Sequence, residues 1–136
     1  GLQNVDVLNV LNETNSFDTL LLLMNGSGIF KSLEQTPEVL AHLKTLLNKN
    51  GQILVDSSDI KYMYEDEDSG FWMDAHSAYY GELEYMVRYK NKEDSFLWMY
   101  LDFERLKTAC TIVGLSCEKV IDGPHHDFLA KITLKD

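Results

Sequence analysis

Phe17-Asp18-Thr19-Leu20-Leu21-Leu22-Leu23-Met24-Asn25-Gly26 is an apolar run that breaks into a glycine-containing loop. Consecutive leucines bounded by turn residues suit a strand covered on both faces, as in a parallel sheet. The loop Asn25-Gly26-Ser27-Gly28 follows. Thr36 then fits an N-cap with Pro37 at the first helical position, where the missing N–H costs nothing. Leu40, Leu43 and Leu47 follow at helical spacing, and Asn50-Gly51 supplies a left-handed stop, so a helix is predicted over 37–49. Gln52-Ile53-Leu54-Val55-Asp56 reads as a second buried strand. Strand, loop, helix, strand is half of a doubly wound α/β domain, and ligands of such sheets sit at the carboxyl ends of the strands.

Past Asp56-Ser57-Ser58-Asp59 lies an irregular stretch with the acidic run Glu65-Asp66-Glu67-Asp68 and then Gly70. A hairpin inserted at about 82–101 comes next. In its first strand Leu83, Tyr85, Val87 and Tyr89 alternate with Glu82, Glu84 and Arg88, the pattern of a half-buried strand. After a polar turn over 91–94, Phe96-Leu97-Trp98-Met99-Tyr100-Leu101 is apolar in both phases, which predicts cover on each side. Asp102 can cap a short helix that carries Leu106, Cys110 and Val113 and is closed by Gly114. A strand near Cys117 to Ile121, a Gly123-Pro124 turn and a strand from Phe128 to Leu134 follow.

The 136 residues fit one domain, taken as 2–136, large enough for a single core. A hydrophobic share of 45% is that of a globular protein. The net charge of −10 argues against a binder of nucleic-acid phosphates, which presents a basic face. No apolar run is long enough to cross a bilayer and no secretory pattern is present, so no membrane partner is expected and the cytoplasm is the expected compartment. Cys110 and Cys117 lack CxxC spacing and read as buried, reduced thiols.

Four segments share an order and spacing with a known family. They are Phe17-Asp18-Thr19-Leu20, the run from Leu46 through Asn50-Gly51 to Val55, Leu106 through Gly114-Leu115, and His125-His126-Asp127-Phe128-Leu129-Ala130. In this sequence they resemble, in turn, the start of the fourth strand, the helix-to-fifth-strand passage, the helix before the sixth strand and the final strand of a class I S-adenosylmethionine-dependent methyltransferase. One subgroup of that family also carries a segment similar to Tyr79-Tyr80-Gly81-Glu82. The resemblance is to the C-terminal half alone and covers nearly the whole chain. It implies an α/β fold: a partial Rossmann-like methyltransferase sheet, mostly parallel with an antiparallel C-terminal strand pair, plus the inserted hairpin.

The family's glycine-rich loop after its first strand, which holds the methionine end of the cofactor, has no counterpart here, and neither does the carboxylate that takes the ribose hydroxyls. The expectation is therefore a fragment that binds the cofactor weakly alone and is inactive in isolation, whereas the intact protein uses S-adenosylmethionine and no metal. Asp6 stands twelve residues before Asp18, the spacing of the family's adenine-contacting acidic residue, so the resemblance assigns Asp6 and Val7 to the cofactor. A solvated residue near the terminus is the other reading of Asp6. Asn25 and Gly26 leave the fourth-strand counterpart where the family contacts substrate or the amino acid portion of the cofactor; an ordinary turn using Gly for backbone freedom is the alternative.

Methyl transfer from a sulfonium relies on alignment and exclusion of water, and needs a general base only where the acceptor loses a proton. Asp56 and Asp59 are the candidates to orient an amine or act as base, and Asp59 equally fits a cap of a helical turn. Trp72, Tyr79, Tyr80 and Trp98 could wall a substrate pocket or belong to the core. His125 and His126, as neighbours on a strand, would point to opposite faces, which favours a pocket-edge role over a metal site. The acidic run fails the calcium-loop pattern, because Gly70 stands where a ligand is required. The expected activity of the intact protein is methyl transfer to a small-molecule acceptor. The competing expectation is a non-enzymatic interaction or dimerisation domain that uses the aromatic hairpin as its binding face. Self-association is expected through the sheet edge at Leu20 to Leu23 or through an uncovered sheet face.

Overall fold

The computed structural model describes residues 17–64 and 79–135. Strand β1 (Phe17–Leu22) runs through a short 3-10 turn (Gly26–Phe30) into helix α1 (Thr36–Leu46), which returns directly to strand β2 (Leu47–Ser58). A second 3-10 turn (Lys61–Tyr64) follows. Beyond it come the hairpin β3 (Glu82–Tyr89) and β4 (Lys92–Met99), helix α2 (Phe103–Ile112), and strands β5 (Leu115–Asp122) and β6 (Asp127–Leu134). The main sheet has the order β1-β2-β6-β5, and the hairpin forms a separate two-stranded sheet. Strand β1 is parallel to β2, with Thr19 opposite Gln52 and Leu22 opposite Val55. Strand β6 is antiparallel to both of its neighbours. This is the mixed sheet expected, with one parallel crossover, an antiparallel C-terminal pair and an inserted hairpin.

Burial alternates along the strands. In β2, Gly51, Ile53, Val55 and Ser57 are buried while the residues between them are half-buried, and β6 repeats the pattern with Phe128, Ala130 and Ile132. The inward residues share one core with Leu40, Leu43 and Leu46 of α1 and with Leu106, Ala109 and Cys110 of α2. Among the described residues the helices thus cover a single face, and the expectation that Leu20 to Leu23 are covered on both faces is corrected. In β1 only Leu20 and Leu22 lean on the core, while Leu21 and Leu23 are more than half exposed (59% and 54%). The four-leucine run misleads because β1 is an edge strand among the described residues.

Two local expectations also shift. Helix α1 starts one residue early: Gln35 is the capping position, and the Thr36 hydroxyl instead donates to the Ser32 carbonyl. It also ends at Leu46 rather than 49, with Leu47 extended. Gly51 lacks the left-handed backbone of a helix stop. It lies at a bulge, where the pairing skips from Phe17 with Leu47 to Thr19 with Gln52, and a Cβ there would press on backbone oxygens of Asn48 and Phe17 at 3.0 and 3.1 Å. By contrast, Asp102 caps α2 by accepting the Arg105 N–H at 3.2 Å, and Gly114 takes φ +78° at the helix end, both as read from sequence. Cys110 and Cys117 are buried free thiols.

The core face of α2 can be tested directly. Leu106 is fully buried and Ile112 is 67% exposed. Leu106→Ala should lower the unfolding free energy by about 2–5 kcal/mol in urea titration, whereas Ile112→Ala should stay within about 0.5 kcal/mol.

Candidate functional site

Because β1 and β2 are parallel, both deliver their carboxyl ends to one edge of the sheet. At the end of β1 the chain turns through Met24 and Asn25, which both hold left-handed backbone (φ 59° and 60°). Asparagine tolerates this region and methionine does not, so the turn stores strain of a kind concentrated at functional sites. Gly26 itself is not left-handed, which corrects the reading of its role as backbone freedom. Close approach explains it: a Cβ there would stand 2.7 Å from the Leu22 Cβ. The Gly26 N–H donates to Asp56 Oδ1 at 3.1 Å, so the loop after β1 and the carboxylate at the end of β2 are joined. Asn25 donates through Nδ2 to the Met99 carbonyl at 3.4 Å, while its Oδ1 is buried with no hydrogen-bond partner.

Beneath this turn lie two serines that sequence reasoning passed over. Ser27 and Ser57 are both fully inside (0% and 1% exposed), with their hydroxyls 2.7 Å apart. Ser27 Oγ reaches the Met99 carbonyl at 3.1 Å and Ser57 Oγ reaches the Leu101 carbonyl at 2.7 Å. The Leu101 N–H in turn donates to Ser57 Oγ at 3.0 Å. Two hydroxyl protons serve three oxygen–oxygen contacts, so one of the three is always without a proton. The pattern Asn-Gly-Ser after one strand and Asp-Ser-Ser after the next was the available signal.

A second constellation flanks the end of β2. Asp59 accepts the Lys61 N–H at 3.0 Å, the capping role weighed for it, and also the Tyr80 hydroxyl at 2.7 Å. Tyr79 lies against Tyr80 with ring centroids 4.5 Å apart and donates its hydroxyl to buried Asp102. The Asp102 N–H donates back to the Tyr79 oxygen at 3.0 Å, and Arg105 bonds Asp102 at 3.2 Å while lying over both tyrosine rings. Burial, then the bond to Asp102, pushes the Tyr79 phenol far above its ordinary range. Burial and the bond to Asp59 push Tyr80 the same way. These phenols are donors and not bases at neutral pH.

Asp59 and Asp102 open onto a groove of about 470 Å³ closed by Glu104, Asp122, Asp127 and His126, with Lys119 as its lone lysine. His125 and His126 do not lie on a strand, contrary to expectation: both are exposed in the turn before β6, with His126 at φ 63° and stacked on Tyr62 at 4.2 Å. Among the described residues no cluster of His, Cys, Asp or Glu could hold a metal ion. Trp98 belongs to a different place. Its indole lies directly on Gly28, where a Cβ would meet the ring at 2.0 Å. With Tyr85, Phe96 and Tyr100 it lines an open aromatic groove of about 380 Å³. The Tyr85 and Tyr100 hydroxyls bond each other at 2.6 Å across it. Of the described aromatics weighed as a wall or as core, Trp98 alone lines a groove, whereas Tyr79 is buried in the core with Tyr80 packed against it. Asp6, Val7, Trp72 and the acidic run over 65–68 lie outside the described residues.

Removing the Ser57 hydroxyl leaves the buried Leu101 N–H without its nearer acceptor. Ser57→Ala should therefore cost about 1–3 kcal/mol of stability in denaturant unfolding. The tyrosines add a pH dependence of definite sign. Up to about pH 10 both the folded and unfolded chains keep the phenol protons. Above that the unfolded chain ionises first, so stability falls as pH rises toward the raised folded-state values. Tyr79→Phe should flatten this alkaline decline relative to the unaltered chain, read from urea midpoints between neutral and alkaline pH.

The chain matches solved methyltransferase structures. A SAM-dependent methyltransferase from Bacteroides fragilis, in complex with S-adenosyl-L-homocysteine, shares 39% identity over 96% of this chain and 52% of its own, with a TM-score of 0.83. Streptomyces venezuelae DesVI shares 17% identity over 97% of this chain and 64% of its own, with a TM-score of 0.60. An S-adenosylmethionine-dependent methyltransferase from Clostridium acetobutylicum shares 13% over 100% and 64%, with a TM-score of 0.63. The chain therefore spans between about half and two thirds of the length of these proteins. No protein-family model matches it, and neither does any curated protein. Sheet order, the antiparallel final strand and these likenesses agree that the chain has the fold of the class I S-adenosylmethionine-dependent methyltransferases.

Proposed function

We propose that this chain is the C-terminal part of an enzyme that transfers a methyl group from S-adenosylmethionine to a small-molecule acceptor. The observation that carries the reading is the buried, unpartnered Oδ1 of Asn25, held by a strained turn at the carboxyl end of β1 beside Asp56. A buried acceptor without a donor costs about 1–3 kcal/mol, and a ligand donor would offset that cost. The 39% identity to the Bacteroides fragilis enzyme supports the choice of ligand. An ammonium such as that of the cofactor's amino acid portion is a fitting donor for Asn25, and the Gly26 loop would lie alongside it.

When bound, the cofactor supplies an electrophilic methyl on a sulfonium. The protein's share is positioning: the strand-end turn holds its backbone fixed, and the tyrosine and aspartate groups beyond β2 orient the acceptor. Asp56 and Asp59 are the groups that could take a proton from an amine or hydroxyl acceptor. His126 edges one groove and Trp98 the other, while Tyr79 and Tyr80 stand behind the first, bonded to its Asp102 and Asp59. Asp6 and Val7 are assigned to the adenine end. The open outer edge of β1, with Leu21 and Leu23 exposed, is the edge on which the remaining sheet of the intact protein would pair, and self-association there is what the isolated chain does instead. None of the described helices is long and apolar enough to cross a membrane.

Calorimetric titration of S-adenosylhomocysteine into the chain and into a longer protein with the preceding sheet strands tests the reading. The longer protein should bind and the chain alone should bind weakly or not at all; a silent longer protein would sink the assignment. Asn25→Gly keeps the left-handed backbone and removes the side chain. It should weaken binding by about tenfold, one hydrogen bond's worth, and leave stability within about 1 kcal/mol.

A further inference from the structure

The hairpin is expected from sequence to be half-buried in its first strand and covered on both sides in its second; the first holds only as far as Tyr85, and the second is corrected, since β4 is exposed as far as Leu97. Beyond its base it projects with apolar side chains exposed: Met86 at 68%, Tyr89 at 71%, Leu97 at 53% and Phe96 at 45%. A two-stranded sheet by itself is marginal in water, and each unpaired edge is a template for another strand. The edges are distinguishable. The Tyr100 N–H donates to the Gly81 carbonyl at 2.8 Å, so this pair is hydrogen-bonded across the hairpin. By alternation from the recorded register, Leu83, Tyr85, Val87 and Tyr89 spend their backbone groups on β4. Glu84, Met86 and Arg88 therefore direct theirs outward, and among the described residues no strand meets them; the Glu82 N–H is already given to the Tyr79 carbonyl at 3.0 Å.

The sequence of that outward edge is complementary to itself. When β3 is laid antiparallel on a second β3 about a two-fold axis at Met86, Met86 faces its own copy. Glu84 then faces Arg88, and Arg88 faces Glu84. On the opposite face Tyr85 meets Val87 and Leu83 meets Tyr89, so the apolar residues stay together. Every cross-strand pair is either opposite in charge or apolar on both sides, which is what stabilises antiparallel strands. A two-fold operator also closes the assembly and leaves no growing edge along β3.

We propose that two copies of this chain associate through β3, antiparallel and in register at Met86, to make a continuous four-stranded sheet from two hairpins. The exposed rings of Tyr89 and Phe96, with half-buried Tyr85 stacked on Phe96, then form one apolar surface across the axis. The interface is separate from the β1 edge and does not depend on methyl transfer.

Sedimentation equilibrium of the chain and its charge variants tests the register as well as the dimer. The variants are Glu84→Arg and Arg88→Glu. Glu84 and Arg88 are both exposed, but Arg88 also pairs with Glu93 of its own hairpin at 3.5 Å, so circular dichroism of each variant accompanies the measurement and should match that of the unaltered chain. Each alone places like charges opposite each other at two symmetric positions and should weaken the dimer by at least about tenfold. Mixed in equal amounts they place Arg against Glu at every position, and the mixture should dimerise as the unaltered chain does. Met86→Cys should form an intermolecular disulfide under a copper–phenanthroline oxidant, since facing residues lie about 5.5 Å apart between Cα atoms. A chain that stays monomeric, a dimer indifferent to both charge reversals, or single variants that fail to recombine would each overturn the proposal.

Discussion

The Ser27–Ser57 hydroxyl pair is the contact on which the arrangement of the strand ends depends. It lies where three chain segments meet: the loop after β1, the end of β2 and the passage from β4 into α2. Each segment brings backbone groups that cannot reach solvent, and the Leu101 N–H and the Met99 and Leu101 carbonyls find the serines instead. Apolar side chains at these positions would fill the space but orphan a backbone donor, so the polar pair is the cheaper solution in a buried setting. The pair also works at a distance. By fixing Met99 and Leu101 it seats Trp98 on Gly28 and sets Asp102 at the start of α2.

From that anchor the two polar constellations acquire different characters. The Asn25 turn is strained and underpaired, with consecutive left-handed residues and an acceptor lacking a donor. The Tyr79–Asp102–Arg105 cluster is saturated, since every oxygen of Asp102 has a donor and the charges are matched. A saturated buried network rigidifies, while an underpaired strained one waits for a partner. On the proposed reading the end of β1 would meet the cofactor and the rigid cluster beyond the end of β2 would orient the acceptor, even though both were equal candidates by residue type.

The fold was largely legible because its signals are local. Asp102 followed by an apolar stripe and Gly114 marks α2 at both ends, and the Gly123-Pro124 turn separates β5 from β6. What sequence could not supply is which faces are covered. Leu20 to Leu23 is read as buried on both sides, yet the outcome depends on neighbours beyond β1, and the same holds for Phe96 and Leu97 in the hairpin. Helix boundaries failed for a related reason: Leu46 and Leu47 are both apolar, and only the pull of β2 on Leu47 decides where the helix stops. Within the site, Asn25 and Asp56 were legible as strand-end residues. Ser27 and Ser57 were not, because serine after a strand is ordinary loop composition until the third segment, far along the chain, is known to arrive above it. The His125-His126 pair misled because its turn conformation is hidden in a sequence that continues straight into β6.

The hairpin brings these threads into one mechanical picture. Its base is fixed hard, by the serines at Met99 and Leu101 and by Gly81, where a Cβ would collide with the Tyr100 oxygen at 1.9 Å. Among the described residues its outer half, from Met86 to Ser95, has no such restraint from the body of the domain. A two-stranded ribbon held only at one end bends readily, and the aromatic groove of Tyr85, Phe96, Trp98 and Tyr100 lies at the transition between the fixed and the free parts. Pairing of β3 with a second copy would stiffen the free half from outside without touching the strand ends. The groove's shape would then be set by a contact between chains, while the Asn25 turn would remain set within one chain by the serine pair. The aromatic groove and the Asn25 turn would be governed by separate physical restraints on the same short segment from Gly81 to Leu101.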